Sequence, residues 1–145
     1  MLGIELSAVT KVFQLADSAV TALEGVTFTV GEREFVSVIG PSGCGKSTIL
    51  RLVAGLLQPS AGSIQVHGLT PAEARRKQVY AFVFQDPVMF PWRTVQQNIE
   101  LPLEIAGSAA RRQYGKRVGE LIDLVGLTGF EKAAPNQLSG GMRHR

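Results

Sequence analysis

GPSGCGKST, residues Gly40 to Thr48, is the stretch on which the reading of this sequence turns. It has the form G-x-x-x-x-G-K-[ST]. EFVSVIG (Glu34 to Gly40) leads into it with Phe35, Val36, Val38 and Ile39 nearly continuous, and KSTILRLVAGLLQP follows it. A strand, a glycine-rich loop and a helix start are the context this pattern requires. Glycines let the backbone wrap closely and aim its amides inward, and a helix start adds unpaired N–H groups and a positive dipole end. Such a loop suits a polyphosphate. Lys46 would supply a mobile charge for the outer phosphates, and Ser47 a hydroxyl for Mg²⁺. Cys44, at a variable position, reads as small filler.

Working outward, GIELS and GVTFTV alternate apolar and polar residues, the period of half-buried strands. SIQVHG is a shorter strand of the same kind. EFVSVIG and VYAFVF (Val79 to Phe84) are apolar without alternation, which suits parallel strands covered on both faces. The helix after Gly45 is expected to be buried almost all round and to end at Pro59 and Gly62. Thr70 before Pro71 opens a short helix. Thr94 with Gln97 has capping-box spacing, Pro102 should kink or stop the helix that follows, and Gly126 should terminate the next one. Strands and mixed elements thus precede residues 85–86 and helices dominate after them. This divides the chain into a β-subdomain with phosphate-loop core (1–85) and a helical subdomain (86–145).

Composition sets bounds. The chain has 145 residues, 45% hydrophobic and 19% charged, with one cysteine. That is the profile of a soluble globular domain in a reducing compartment, with no apolar run long enough to cross a membrane and no signal-peptide pattern at the N-terminus. The formal charge of +3 is modest. The basic clusters ARRKQ and ARRQYGKR lack interleaved aromatics, so no nucleic-acid partner is expected.

A phosphate loop alone is compatible with kinases, GTPases, recombinase-like ATPases and transporter ATPases. Two further motifs discriminate. FVFQDP (Phe82 to Pro87) places Gln85 directly after an apolar run, where an amide can meet a metal or a water beside a γ phosphate. QLSGGM (Gln137 to Met142) sets Ser139 as a helix cap before two glycines. In this order and spacing the three motifs resemble the ATP-binding subunit of an ABC transporter, over essentially the whole chain. QDPVMFPWRTVQQNIELPLEIAG and QLSGGMRHR look like the branch serving nitrate, sulfonate and taurine importers.

The resemblance implies an α/β fold: a P-loop NTPase (ABC ATPase) core with an N-terminal antiparallel β-subdomain and part of the helical subdomain. It implies ATP and Mg²⁺ as ligands. The ATP-binding residues would be Phe13, stacking on adenine, and Gly40, Pro41, Ser42, Gly43, Cys44, Gly45, Lys46, Ser47 and Thr48. Lys46 and Gln85 would serve catalysis, and Ser47 and Gln85 the metal. Leu138, Ser139, Gly140, Gly141 and Met142 would cover the γ phosphate held by a second, head-to-tail subunit. Phe90, Pro91 and Trp92 would meet a transmembrane permease, with a solute-binding protein engaged indirectly. Such a subunit is cytoplasmic and peripheral on the inner face of the cell membrane.

One departure is large. The family's later strand ending in Asp and Glu, and its later histidine, have no counterpart here. The chain is therefore expected to be an N-terminal portion of such a domain, with little turnover alone. A non-catalytic nucleotide-binding module is the alternative that this departure favours and the LSGG element disfavours. A DNA-associated ABC ATPase would carry a long coiled-coil insertion, for which the interval between the motifs leaves no room.

Overall fold

The structure is a computed structural model describing residues 2–144. It forms two compact units that divide between Phe82 and Val83.

The first unit is built on a three-stranded antiparallel sheet, β1 (Leu2–Gln14), β2 (Ala19–Gly31) and β3 (Ala61–Val66), in the order β2-β1-β3. Leu6 and Val9 of β1 are both fully buried although three residues apart. A bulge between them resets the two-residue alternation, with Ala8 at φ +47° and its amide donating to Thr27 Oγ1 at 2.9 Å. The sheet face carrying Leu6, Val9, Leu23 and Ile64 closes on Leu52 of helix α1 (Lys46–Val53), with Phe28, Ile49 and Val53 around it. Burying each such side chain contributes about 1.5–3 kcal/mol.

Helix α1 is shorter and barer than the sequence predicts. It ends at Val53, before Gly55 at φ +58°, and Leu50 is 51% exposed. Only the stripe facing the sheet is covered. Helix α2 (Pro71–Arg76) begins in the capping box at Thr70 and Glu73. Arg75 Nη1 then donates to the Gly55 carbonyl at 2.8 Å, and the Tyr80 hydroxyl donates to the Ala54 carbonyl, tying the segment to the end of α1.

The two apolar runs differ from expectation. Residues 34–40 and 79–84 are not strands, and Phe35 and Ile39 are 91% and 92% exposed. A strand is a pairing, and its ladder depends on neighbours as much as on its own side chains. No parallel sheet forms among the described residues.

In the second unit, α3 (Val95–Ala106) and α4 (Ser108–Leu124) pack around Val95, Val118, Ile122, Leu127 and Leu138. Thr94 accepts from the Gln97 amide and Gln97 answers at the Thr94 amide, as the spacing predicts. Pro102 does not stop α3, which runs through it to Ala106. Capping and burial along α3 outweigh one lost hydrogen bond. The chain ends in a 3-10 turn at Pro135–Gln137 and the short helix α5 (Gly140–Arg143).

Candidate functional site

The loop of residues 40–45 is solvent-exposed over most of its length and delivers the chain into α1. Gly43 and Gly45 take φ +81° and +94°, a region that L side chains enter only with strain. At Gly45 the constraint is double. A Cβ there would lie 2.7 Å from the Ala22 carbonyl oxygen and 2.7 Å from Leu23 Cδ2, so the loop is pressed against β2. The Cys44 amide donates to the Pro41 carbonyl at 3.4 Å, closing the turn. The first amides of a helix lack intrahelical acceptors, no side chain caps those of α1, and its first turn holds no acidic residue. The start of α1 is therefore positive and open.

Lys46 folds back over this loop. Its Nζ donates to the Gly40 carbonyl at 2.8 Å and the Pro41 carbonyl at 2.6 Å, and lies 3.6 Å from Cys44 Sγ. The side chain thus reaches the rim of the loop, where an anion seated on the amides would meet it. Ser42 and Ser47 are exposed and Thr48 is half-buried. Among the described residues no three carboxylate, histidine or cysteine groups cluster as a metal site. A single exposed hydroxyl at Ser47 suits a hard cation held mainly by phosphate oxygens and water, the usual manner of Mg²⁺.

Phe13, also in the first unit, is half-buried on β1 opposite Val20. Lys11 Nζ sits 5.1 Å from its ring centroid and donates to the Gln58 carbonyl at 2.8 Å. That ammonium contact, which periodicity could not reveal, covers the ring with a cation.

Gln85 and the second glycine motif belong to the second unit; Gln85 is exposed. Ser139 caps α5 by accepting the Met142 amide at 3.3 Å. Leu138 is buried in the core and Met142 packs against it. These two hold the turn from beneath while Ser139, Gly140 and Gly141 face outward. A Cβ added at Gly140 or Gly141 would meet nothing within 4 Å, and neither residue has positive φ. Among the described residues nothing crowds either position.

Beside this turn a cavity of about 410 Å³ is lined by Pro87, Met89, Pro91, Pro135, Asn136, Arg143 and His144. The segment 87–94 on its rim is tied down by Asn98 and exposes an aromatic pair, Phe90 and Trp92, with centroids 5.1 Å apart. Sequence reasoning missed Asn98, because nothing in the local pattern separates it from an ordinary polar helix residue.

Comparison with known proteins bears on the chain as a whole. A family profile described as ABC transporter matches residues 23–145. The chain is 44% identical to the methionine import ATP-binding protein MetN of Geobacillus kaustophilus, over 98% of this chain and 43% of that protein. It is 40% identical to the aliphatic sulfonates import ATP-binding protein SsuB of Bacillus thuringiensis subsp. konkukian, over 99% of this chain and 55% of that protein. Among solved structures, a dimeric bacterial ABC transporter cassette superposes with a TM-score of 0.84 at 34% identity, covering 97% of this chain and 65% of that one. A dimeric post-hydrolysis cassette bound to ADP and Pi gives 0.83 at 33% identity, with the same coverage. The chain spans about half the length of the curated relatives it matches.

Proposed function

The chain belongs to the ABC transporter family, and from that premise we propose that it binds Mg-ATP and works in an importer ATPase. The observation that carries this reading is the loop at 40–48, where Lys46 Nζ lies on the Gly40 and Pro41 carbonyls above the open start of α1. The loop amides and the start of α1 hold the phosphates. Lys46 exchanges its carbonyl partners for β- and γ-phosphate oxygens, a stronger charge-assisted contact. Ser47 would hold Mg²⁺, which would offset charge on the outer phosphates, and Gln85 would serve the same metal and orient the attacking water. Phe13 stacks on the base. Catalysis of this kind is positioning and charge stabilisation.

The glycine motif acts on a second copy. Ser139, Gly140 and Gly141 cover the γ phosphate held by the phosphate loop of the partner chain in a head-to-tail pair, with Leu138 and Met142 anchoring the turn. Support comes from the open space at both glycines and from the dimeric cassettes to which the chain is similar. Phe90, Pro91 and Trp92 contact a transmembrane permease, which holds the protein at the cytoplasmic face of the membrane; a solute-binding protein is engaged only through it. Among the described residues no helix is long and apolar enough to cross a membrane. The solute is a small anion of the nitrate, sulfonate or taurine type, as the similarity to the sulfonate importer supports. Methionine is the second reading, favoured by the 44% identity to MetN.

Nucleotide titration of the chain and of Lys46→Ala tests the site. Weaker ATP binding by the variant is expected; equal affinity overturns the assignment of the phosphate loop.

A further inference from the structure

Asn98 lies in the first half of α3, yet its side chain serves the loop before the helix. Its Oδ1 accepts the Phe90 amide at 2.7 Å, and its Nδ2 points at the carbonyls of Phe90 (3.2 Å), Arg93 (3.3 Å) and Thr94 (3.0 Å). The Arg93 amide also donates to the Phe90 carbonyl at 3.1 Å, so residues 90–93 form a closed turn with Asn98 at its mouth. A neutral amide offers an acceptor and two donors at one end; aspartate keeps only the acceptor and leucine neither. Arg93 adds a second tie, from Nη1 to the Gln97 carbonyl at 3.2 Å and to Glu104 Oε2 at 2.8 Å.

What this clasp holds is a pair of aromatic rings, of which Trp92 is the one turned outward. Phe90 and Trp92 meet at an interplanar angle of 53°, and Trp92 is 75% exposed. Phe90 is 37% exposed, and neither ring is part of the hydrophobic cluster around Val95.

We propose that Asn98 is a positioning residue that fixes the 90–93 turn and so presents Phe90 and Trp92 to the permease segment. The partner half rests on the permease contact proposed above. Asn98 touches neither nucleotide nor metal in that reading, and acts only through the turn.

The test uses the full chain, in which Trp92 is the single tryptophan and hence an unambiguous probe. In Asn98→Ala the Phe90 amide should exchange its hydrogen about tenfold faster, the size of one lost hydrogen bond. Trp92 fluorescence anisotropy should fall while far-UV circular dichroism is unchanged. Asn98→Asp keeps the acceptor for the Phe90 amide but sets a carboxylate oxygen against the Phe90, Arg93 and Thr94 carbonyls, so at neutral pH it should lower Trp92 anisotropy without freeing that amide. The anisotropy should recover as pH falls toward about 4, where the protonated carboxyl regains one donor; a merely structural loss shows no such recovery. Unchanged exchange and anisotropy in Asn98→Ala overturn the proposal, as does an Asn98→Asp profile flat with pH. Affinity for the permease separates the two layers. Weakening by both Trp92→Ala and Asn98→Ala supports the whole. Weakening by Trp92→Ala alone overturns the role of Asn98 in presentation. No weakening by Trp92→Ala overturns the permease contact itself, and with it the partner half.

Discussion

The two glycine motifs differ in what demands the glycine. At Gly45 the demand is internal: φ is +94° and a Cβ would press on the Ala22 carbonyl at 2.7 Å. At Gly140 and Gly141 a Cβ would enter open space. The first motif is needed by the fold that contains it. The second has room for a side chain in its own fold, and in the proposed assembly its glycines face the nucleotide on a partner. A motif in contact with its own backbone and one facing outward should fail in different ways.

The sharpest break is Gly45→Ala. Forced φ and a backbone clash should lower stability by about 2–4 kcal/mol, seen as a lower denaturation midpoint together with loss of ATP binding. Lys46→Ala should leave the midpoint nearly unchanged and weaken ATP binding by about 10–100-fold, the loss of one charge-assisted contact or two. Gly140→Ala and Gly141→Ala should change stability by no more than about 1 kcal/mol, on the favourable side because alanine is the better helix former. Each should nevertheless reduce ATP-dependent self-association in equilibrium sedimentation. A large loss of stability from either would erase the contrast.

The smallest effect concerns pH. The Thr70 hydroxyl, and then the Thr70 amide, hold the Glu73 carboxyl below its ordinary value of 4.5; the Gly129 amide does the same for Glu131. A depressed carboxylate pKa contributes stability that is present above the ordinary value and is lost as pH falls through the depressed one. Both carboxylates are exposed, so the change between pH 6 and pH 3 should be slight. Thr70→Ala, which keeps the backbone amide, should reduce the Glu73 share in a melting series.

Short-range chemistry was the legible part. Thr70 before Pro71, Thr94 with Gln97, and Ser139 at α5 each cap as the sequence predicts, because a cap involves residues only three apart. The glycine turn leading into α1 was legible for the same reason. Burial was less so. Periodicity says which side chains prefer to be covered and says nothing of the surface that would cover them, hence Leu50 of α1 and the residues Phe35 and Ile39 stand in solvent. Pro102 carries the opposite lesson: a local helix breaker was overruled by the packing of α3. Asn98 could not be found from the sequence, since its partners matter only once the loop has turned back.

The ammonium of Lys11 over Phe13 has a bearing on selectivity. With one side of the ring taken, a purine in the proposed site has a single π surface to lie on, and stacking senses polarizable area more than the pattern of exocyclic groups. Guanine should therefore be accepted nearly as well as adenine, and the choice between them would follow from how much of each triphosphate is at hand.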